Sequence, residues 1–337
     1  MANVINTSLT WSQEDARKYF LQPLFYENNH LKGMDVISDV SGASILLDRY
    51  TSIKDITKSM ACTSDCFSAD GTQSTNGNVE LTLCRLEVEH AQKACSLMSH
   101  IKSQLMKKGV NRADLTGTLF MEIVSALVMQ GIARDFSTIL WWGDTTNGAS
   151  ESTQKLCNGV WQYLSSKVGG DLPTAQVKVF NTDMLTTLQD MMNARSTELA
   201  TADRQIIYVS RAFADAYRHE LQSAGTHVAA YSDLINGIPN LSYNGIPMIV
   251  VNSWDVDIAT YGASLANMTN GLAPNATADT KAAIWTMEDN ITIGTDYQAQ
   301  DVDMWYNKDC KENRFRMLYS MGVAVKEPGM VVTMTQD

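Results

Sequence analysis

Residues 114–144 read DLTGTLFMEIVSALVMQGIARDFSTILWWGD, and this stretch decides the fold. Its apolar side chains recur at four-residue steps, as on one face of an α-helix: Leu115, Leu119, Ile123 and Leu127. A helix over 114–142 has 29 residues and would be about 43 Å long at ~1.5 Å per residue. The average globular helix has only about 11–12 residues. A tryptophan pair and Gly143-Asp144 end the pattern, so the sequence predicts one unusually long helix.

The region before this helix is predicted to be an arm followed by a two-stranded loop. Residues 1–35 hold short aromatic patches without the period of a helix or strand. Residues 68–78 are almost all turn-forming, and the alternating strand VELTLCRLEVE (79–89) follows them. A polar tip of this length is typical of a projecting loop rather than a compact domain. Another helix is predicted over 90–108, ending in a basic turn and a glycine.

The region after the long helix alternates between helical and strand patterns. Helices are predicted at 156–166, 183–198 and 211–224, and strands at 205–209, 248–251, 282–286 and 291–293. Residues 262–281 are rich in small polar residues and are predicted to be a surface loop. The segment RFRMLYSMGVAVKEPGMVVTM (314–334) indicates a strand, a turn and a strand. This order is typical of a mixed α/β lobe followed by closing strands.

Composition limits the possible functions. The 337 residues include 26 Lys and Arg against 37 Asp and Glu, a net charge of −11. Such an acidic chain is poorly suited to gripping phosphate backbones through its overall field. Charged residues make up 19%, below the usual ~25%, as in a subunit that lies inside an assembly. Apolar runs reach four residues, whereas a membrane span needs about 20, so no transmembrane helix is expected.

The six cysteines are expected to be reduced. The first residues lack the features of a secretory signal, and thiols stay reduced in a cytoplasm. Cys62 and Cys66 form the closest pair, and Cys84 and Cys95 follow. Zinc sites usually need two C-x-x-C pairs, or one such pair with closely spaced histidines. Buried or idle thiols are therefore favoured over a metal site, and the role of these four cysteines stays open.

No pattern in the sequence predicts a catalytic site, a cofactor site or a metal site. The phosphate-binding loop, the dinucleotide glycine motif, the nucleophile elbow and the zinc-protease motif are all absent. Glu87 and Glu89 share one face of a predicted strand, where a solvated surface is favoured over paired catalytic carboxylates. Asp301, Asp303 and Asp309 match a calcium loop in acid count, but the glycine that such a loop requires is missing.

Three segments, taken in order, resemble one protein family. They are ILWWGDTTNG (139–148), YNGIPMIVVNSWD (243–255) and ENRFRMLYSMGVAVKEPGMVV (312–332). They are similar to the turn that closes the spine helix, a late axial strand and the closing strands of tailed-bacteriophage major capsid proteins. These proteins have the Hong Kong 97-like fold, which encapsulins share. Thr145 departs from the family, which often has a second glycine at this position.

The resemblance implies an α+β, Hong Kong 97-like capsid fold with five parts. The expected parts are an N-terminal arm (1–35), an extended loop (36–90), a spine helix (about 114–142), a peripheral domain (91–168 and 286–337) and an axial domain (169–285). Trp141 and Trp142 are expected to anchor the end of the spine against a sheet. The loop tip is expected to lie over an adjacent subunit.

The resemblance also implies a structural function without catalysis or cofactors. The chain would be the coat protein of a tailed phage, assembled in the host bacterial cytoplasm into hexamers and pentamers of an icosahedral head. Its partners would be copies of itself, a portal protein, non-specifically packaged double-stranded DNA, and scaffold, protease or decoration proteins where the assembly uses them, with no membrane. Two alternatives stay open: an encapsulin-like nanocompartment shell, and a cytoplasmic α/β enzyme with its site within 170–260.

Overall fold

The computed structural model describes residues 31–38, 40, 42–50, 76–93, 119–146, 153–180, 183–223, 241–265, 280–295 and 302–335. The helices of this part are α1 (Leu119–Trp142), α2 (Val160–Lys167), α3 (Met184–Asn193), α4 (Thr197–Thr201), α5 (Arg211–Ser223) and α6 (Ser253–Leu265). Its strands are β1 (Asp35–Ser38), β2 (Ser44–Tyr50), β3 (Asn76–Thr82), β4 (Cys84–Lys93), β5 (Val177–Val179), β6 (Gln205–Ser210), β7 (Leu241–Tyr243), β8 (Ile246–Val251), β9 (Ala283–Met287), β10 (Ile291–Thr295), β11 (Val302–Asn307), β12 (Glu312–Val325) and β13 (Val332–Thr335).

A five-stranded sheet is built around the 14-residue strand β12. β4, β10 and β11 pair with it in antiparallel fashion, and β1 pairs in parallel with β10. In the first half of β12, buried residues such as Phe315 and Met317 alternate with half-buried ones, because one face of the sheet stays open. From Tyr319 to Val325 every residue is buried, so this half is covered on both faces.

A six-stranded mixed sheet has the order β5-β13-β9-β6-β8-β7. β6 and β8 are parallel neighbours, and the helix α5 begins directly after β6. β7 and β8 form a hairpin whose two turn residues, Asn244 and Gly245, have φ values of 49° and 82°. A two-residue turn with positive φ at both positions matches the right-handed twist of the strands. The prediction of a strand at 248–251 is confirmed by β8.

The two faces of the six-stranded sheet pack into different hydrophobic cores. Ile206 and Tyr208 belong to one core, whereas Ile207 and Val209 belong to the other, because successive strand residues point to opposite faces. The helices α3 and α5 cover the second face with apolar side chains at helical spacing: Met184, Leu188, Met191, Phe213 and Tyr217. The first face meets the end of α1 together with α6.

The long helix α1 ends at Trp142, as predicted. Its 24 described residues span about 36 Å at ~1.5 Å per residue. All seven residues from Phe136 to Trp142 are buried. A helix that is buried on every side lies inside a protein. The final turns of α1 are therefore a central element of the first core rather than an amphipathic surface.

Three predictions about secondary structure are wrong. The strand β4 continues to Lys93 instead of giving way to a helix at residue 90, because its last residues pair with the start of β12. The predicted helix 183–198 is two helices, since Ser196 caps a new helix by accepting a hydrogen bond from the Leu199 N–H. The predicted loop 262–281 begins inside a helix, α6, which extends to Leu265.

Several predicted features lie outside the described residues. They are the arm before residue 31, residues 68–75 of the predicted loop tip, the helix over 94–108 and the beginning of the long helix at 114–118. Residues 76–78 of that tip belong to β3 and pair with β2, so the strand begins three residues earlier than predicted. None of the described helices is both long enough and apolar enough to cross a membrane.

Candidate functional site: the helix end and the root of a two-stranded hairpin

The end of α1 is closed by two glycines in direct backbone contact. The Gly143 N–H donates to the Ile139 carbonyl at 3.0 Å, and the Gly159 N–H donates to the Gly143 carbonyl at 2.8 Å. A Cβ at Gly143 would collide with the Cys157 carbonyl oxygen, and a Cβ at Gly159 would lie 2.5 Å from the Ile139 carbonyl oxygen. Only glycine therefore fits at these two positions of the turn that follows the helix.

Polar groups fix the turn after Gly143. The buried Asp144 accepts a hydrogen bond from the Thr146 N–H at 2.8 Å, and its own N–H donates to the Gln154 carbonyl at 2.8 Å. The Asn158 side chain accepts from both the N–H and the hydroxyl of Thr145, at 3.0 and 2.9 Å. Thr145, which departs from the family pattern, therefore contributes its own side chain to this turn.

Four buried tryptophans surround the helix end. Trp142 stacks on Trp161 with ring centroids 5.2 Å apart, and Trp254 lies edge-on to Trp141, Trp142 and Trp161 at 4.9–5.7 Å. Trp141 also meets Tyr208 of the six-stranded sheet at 5.2 Å. The indole N–H groups of the four tryptophans have no hydrogen-bond partner within the described part. Ring packing therefore holds the cluster, and the prediction that Trp141 and Trp142 anchor the helix against a sheet is confirmed.

β2 and β3 form a separate two-stranded hairpin, as predicted. Its base, residues 81–84, is called here the hairpin root. Leu81 is fully buried and lies against Gly294. A Cβ at Gly294 would be only 2.5 Å from the Cδ2 atom of Leu81. A Cβ at Gly322 would collide with the Thr82 carbonyl oxygen. Two glycines on β10 and β12 thus create the space that seats the hairpin root on the five-stranded sheet.

The outer hairpin, residues 46–50 and 76–80, has little of this support. Leu46 is 59% exposed. It pairs directly with Glu80, which is also exposed, while the opposite face carries the half-buried Leu47 and Val79. A two-stranded sheet alone is only marginally stable in water. The outer hairpin therefore needs further contacts that the single chain does not provide among the described residues.

A disulfide links the hairpin root to the segment after the helix-end turn. Cys84 and Cys157 are bonded, with their Cα atoms 5.8 Å apart. The expectation of reduced thiols is wrong for this pair, because the fold brings together two residues that are 73 positions apart. Cys310 is an exposed free thiol. Cys62, Cys66 and Cys95 lie outside the described residues.

The acidic residues singled out in the sequence are scattered over the structure. Glu87 and Glu89 are exposed on β4, and Glu87 pairs with the Arg316 guanidinium across the open face of the five-stranded sheet. Asp303 lies on β11, and Asp309 lies in the turn after that strand, where its N–H donates to the Asn307 side chain at 2.9 Å. Asp301 lies outside the described residues. In the described part of the chain, no three His, Cys, Asp or Glu side chains form a group that could hold a metal.

One buried carboxyl group lies between α1 and α6. Asp257 is 6% exposed and accepts a hydrogen bond from the Thr138 hydroxyl at 3.0 Å. Its Oδ2 atom has no partner among the described residues. Burial raises the pKa of Asp257 to about 6, although the Thr138 hydrogen bond and the nearby Arg134 act to lower it. No sequence pattern indicates a role for this residue, because its partner is 119 positions away.

The comparisons with known proteins rest on structure. No protein-family model matches the chain, and no curated protein matches it. A chain of the satellite phage P4 procapsid, which includes the size determination (Sid) protein, matches with a TM-score of 0.52, 10% identity, and coverage of 94% of this chain and 97% of that one. A chain of the native GTA particle capsid matches with a TM-score of 0.52, 12% identity, and coverage of 100% and 99%.

This chain has a phage capsid-protein fold. A chain from Mycobacterium phage Ogopogo extends the likeness, with a TM-score of 0.53, 11% identity and 90% coverage of both chains. The α+β class is confirmed.

Proposed function

We propose that the chain is a major capsid protein that assembles into the icosahedral head of a tailed phage. The observation that carries the proposal is the structural match, which covers 94–100% of this chain and 97–99% of the P4 procapsid and GTA capsid chains. A match over the full length of both chains means that the whole molecule, and not one motif, is organised like a shell subunit. The function is structural, with further copies of the chain as the main partner.

The proposal includes a Hong Kong 97-like division of the chain. Residues 1–35 are the arm, 36–90 the extended loop, and 91–168 with 286–337 the peripheral domain, whose spine helix is α1. Residues 169–285 are the axial domain. In this assignment the last strand, Val332–Thr335, joins the axial sheet, because it pairs with β9.

The outer hairpin supports self-assembly. It has two strands, an exposed Leu46 and no covering layer in the described part of the chain. A neighbouring copy would supply the missing layer, as obligate interfaces do by burying more than roughly 2,000 Å². Assembly into hexamers and pentamers, packaged DNA in the lumen, a portal partner and assembly in the bacterial cytoplasm follow from the same proposal.

Negative-stain microscopy and sedimentation of the purified chain test the proposal. The wild-type chain is expected to form closed shells or ring-shaped capsomers. The variant Leu46→Lys should fold normally, since the new lysine faces Glu80 across the hairpin. It should need a concentration roughly fivefold higher for assembly, which corresponds to a loss of about 1 kcal/mol per contact.

Asn78→Lys is the matched control. It adds the same charge on the same hairpin face, opposite Asp48, without removing an apolar side chain. It should impair assembly less than Leu46→Lys does, because no apolar contact is lost. A folded wild-type chain that stays monomeric at micromolar concentration and turns over a substrate would overturn the proposal in favour of an enzyme. Shells that contain an enzyme cargo instead of DNA would favour a nanocompartment.

A further inference from the structure

The Cys84–Cys157 bond lies at a position that other contacts already define. Cys84 is the first residue of β4 and pairs with Met321 of β12. Cys157 is held by the glycine-closed turn, where its carbonyl oxygen occupies the space that a Cβ at Gly143 would need. The Cys157 Sγ atom lies 3.7 Å from the Met321 carbonyl oxygen. Backbone pairing and turn geometry, rather than the bond itself, therefore bring the two sulfur atoms together.

The same geometry accommodates the reduced pair. In the dithiol form, the Cys157 thiol can donate a hydrogen bond to the Met321 carbonyl that it already faces. Cys157 is 2% exposed, and a buried thiol behaves as a small apolar side chain. The first core around it is extensive and includes the tryptophan cluster. The fold consequently does not need the bond in order to form.

The Cys84–Cys157 bond connects two regions that are packed to different extents. On one side lies the turn at the end of α1, which is packed against four tryptophans. On the other side lies Cys84, two residues beyond the last residue of β3, where the hairpin leaves the five-stranded sheet. A covalent link at this position limits how far the hairpin root can open from the sheet.

We propose that Cys84 and Cys157 form a redox-controlled clamp on the hairpin root. The clamp is open in reducing surroundings and closed in oxidising ones, and the overall fold is the same in both states. Closing the clamp raises the stability of the chain and slows opening of the hairpin root. This proposal concerns the single chain and does not depend on the proposed function.

Glutathione disulfide is a sufficient oxidant for closing the clamp. Cys84 is half-buried and more accessible than Cys157, so its thiolate attacks one sulfur of glutathione disulfide. The glutathione S–S bond breaks, a Cys84–glutathione mixed disulfide forms, and one glutathione leaves. The Cys157 thiolate then attacks the Cys84 sulfur and releases the second glutathione. The cysteine pair loses two electrons and two protons, and glutathione disulfide gains them as two molecules of glutathione.

Peptide mapping and thermal unfolding of the full chain test the clamp. After equilibration with glutathione disulfide, the peptides that contain Cys84 and Cys157 should be linked, and dithiothreitol should separate them. Reduction should lower the Tm by about 5–10 °C and leave the circular dichroism spectrum unchanged. Hydrogen exchange should become faster at residues 81–86 and stay constant in α3.

Two variants make the result specific. Cys84→Ser/Cys157→Ser should fold with the Tm of the reduced wild-type chain and lose its response to dithiothreitol at the hairpin root. Cys310→Ser should behave like the wild-type chain, because this thiol is exposed and free. Absence of the linked peptide under glutathione disulfide would overturn the proposal. Loss of the fold on reduction would also overturn it, as would unchanged exchange at the hairpin root.

Discussion

The end of α1 and the outer hairpin differ in how completely their apolar side chains are buried. Around the helix end, Trp141, Trp142, Trp161 and Trp254 are completely buried. In the outer hairpin, Leu46 is 59% exposed, and the two strands pair only with each other in the described structure. The first region is complete within one chain. The second has the strand pairing of a folded element but, among the residues that the structure describes, lacks the layer that would bury it.

Because of this difference, we expect the helix end to determine the stability of the single chain and the outer hairpin to determine its assembly. Burial of a large side chain contributes about 1.5–3 kcal/mol, so the helix end accounts for much of the stability of the single chain. The outer hairpin contributes little until another surface covers it. Substitutions at the helix end should therefore change folding, whereas substitutions in the outer hairpin should change association.

Trp142→Ala, at the helix end, should cause the largest loss of stability. Removing a fully buried indole that stacks on Trp161 should lower the free energy of unfolding by about 3–5 kcal/mol. Leu46→Ala should change it by less than about 0.5 kcal/mol, because the side chain is already exposed. Denaturant unfolding of the two variants provides the measurement. Equal losses of stability would show that the two regions are not different.

Two glycines, Gly131 within α1 and Gly143 directly after it, should respond differently to the same substitution. Gly143→Ala should cost about 2–4 kcal/mol, because the new methyl group would collide with the Cys157 carbonyl oxygen. Gly131→Ala is the control, since no described residue lies within 4 Å of a Cβ at that exposed position in α1. It should stabilise the chain by about 0.5–1 kcal/mol, the usual advantage of alanine in a helix. Tolerance of Gly143→Ala would contradict the described turn.

The raised pKa of Asp257, which lies between α1 and α6, predicts that the stability of the chain depends on pH. Its pKa is raised from 3.8 to about 6 in the folded chain, so the folded state binds the proton more tightly than the unfolded state. Its contribution to stability is fully present below pH ~4 and is lost as pH rises through about 6. Asp257→Asn should remove this loss and raise stability at pH 8 by roughly 1–2 kcal/mol.

Thermal unfolding between pH 4 and 8 checks this prediction. Thr138→Val is the companion variant, because it removes the hydrogen bond that favours the charged carboxylate. It should make the loss of stability with rising pH larger than in the wild-type chain. A pH profile of Asp257→Asn that parallels that of the wild-type chain would show that the carboxyl group titrates normally.

Arg316→Ala tests the open face of the five-stranded sheet and should have the smallest effect. The guanidinium pairs with Glu87, but both side chains are more than 40% exposed, at 43% and 42%. Exposed ion pairs of this kind contribute about 0.2–1 kcal/mol. The expected loss is therefore under ~0.5 kcal/mol and should decrease further in 1 M salt. A loss larger than that of Gly143→Ala would indicate that this face is covered.

Local patterns in the sequence predicted much of the fold. The end of α1 at Trp142, the pairing of β2 with β3, and the strands β12 and β13 follow from apolar periodicity and turn residues within short windows. The role of Trp141 and Trp142 as an anchor was also predictable, because two large aromatic residues at a helix end need a buried location.

The features that sequence reasoning missed depend on distant partners. The Cys84–Cys157 bond joins positions 73 residues apart, and Leu81 is seated by glycines on β10 and β12. The local pattern from residue 90 predicted a helix. In the structure β4 continues to Lys93, because its pairing with β12 outweighs that local helix propensity. The strand β11 was not predicted, because the acidic residues in and around it, Asp301, Asp303 and Asp309, were compared with a calcium loop. These elements are determined by tertiary contacts, which no short window of sequence contains.

Hydrogen exchange of the same preparation, as free chain and as assembled particles, measures whether assembly covers the outer hairpin. We expect the amides of residues 46–50 and 76–80 to exchange rapidly in the free chain and to become protected after assembly. Residues 136–142 should be protected in both states. Full protection of the outer hairpin in the free chain, or no gain of protection in particles, would contradict the claim that another copy completes this region.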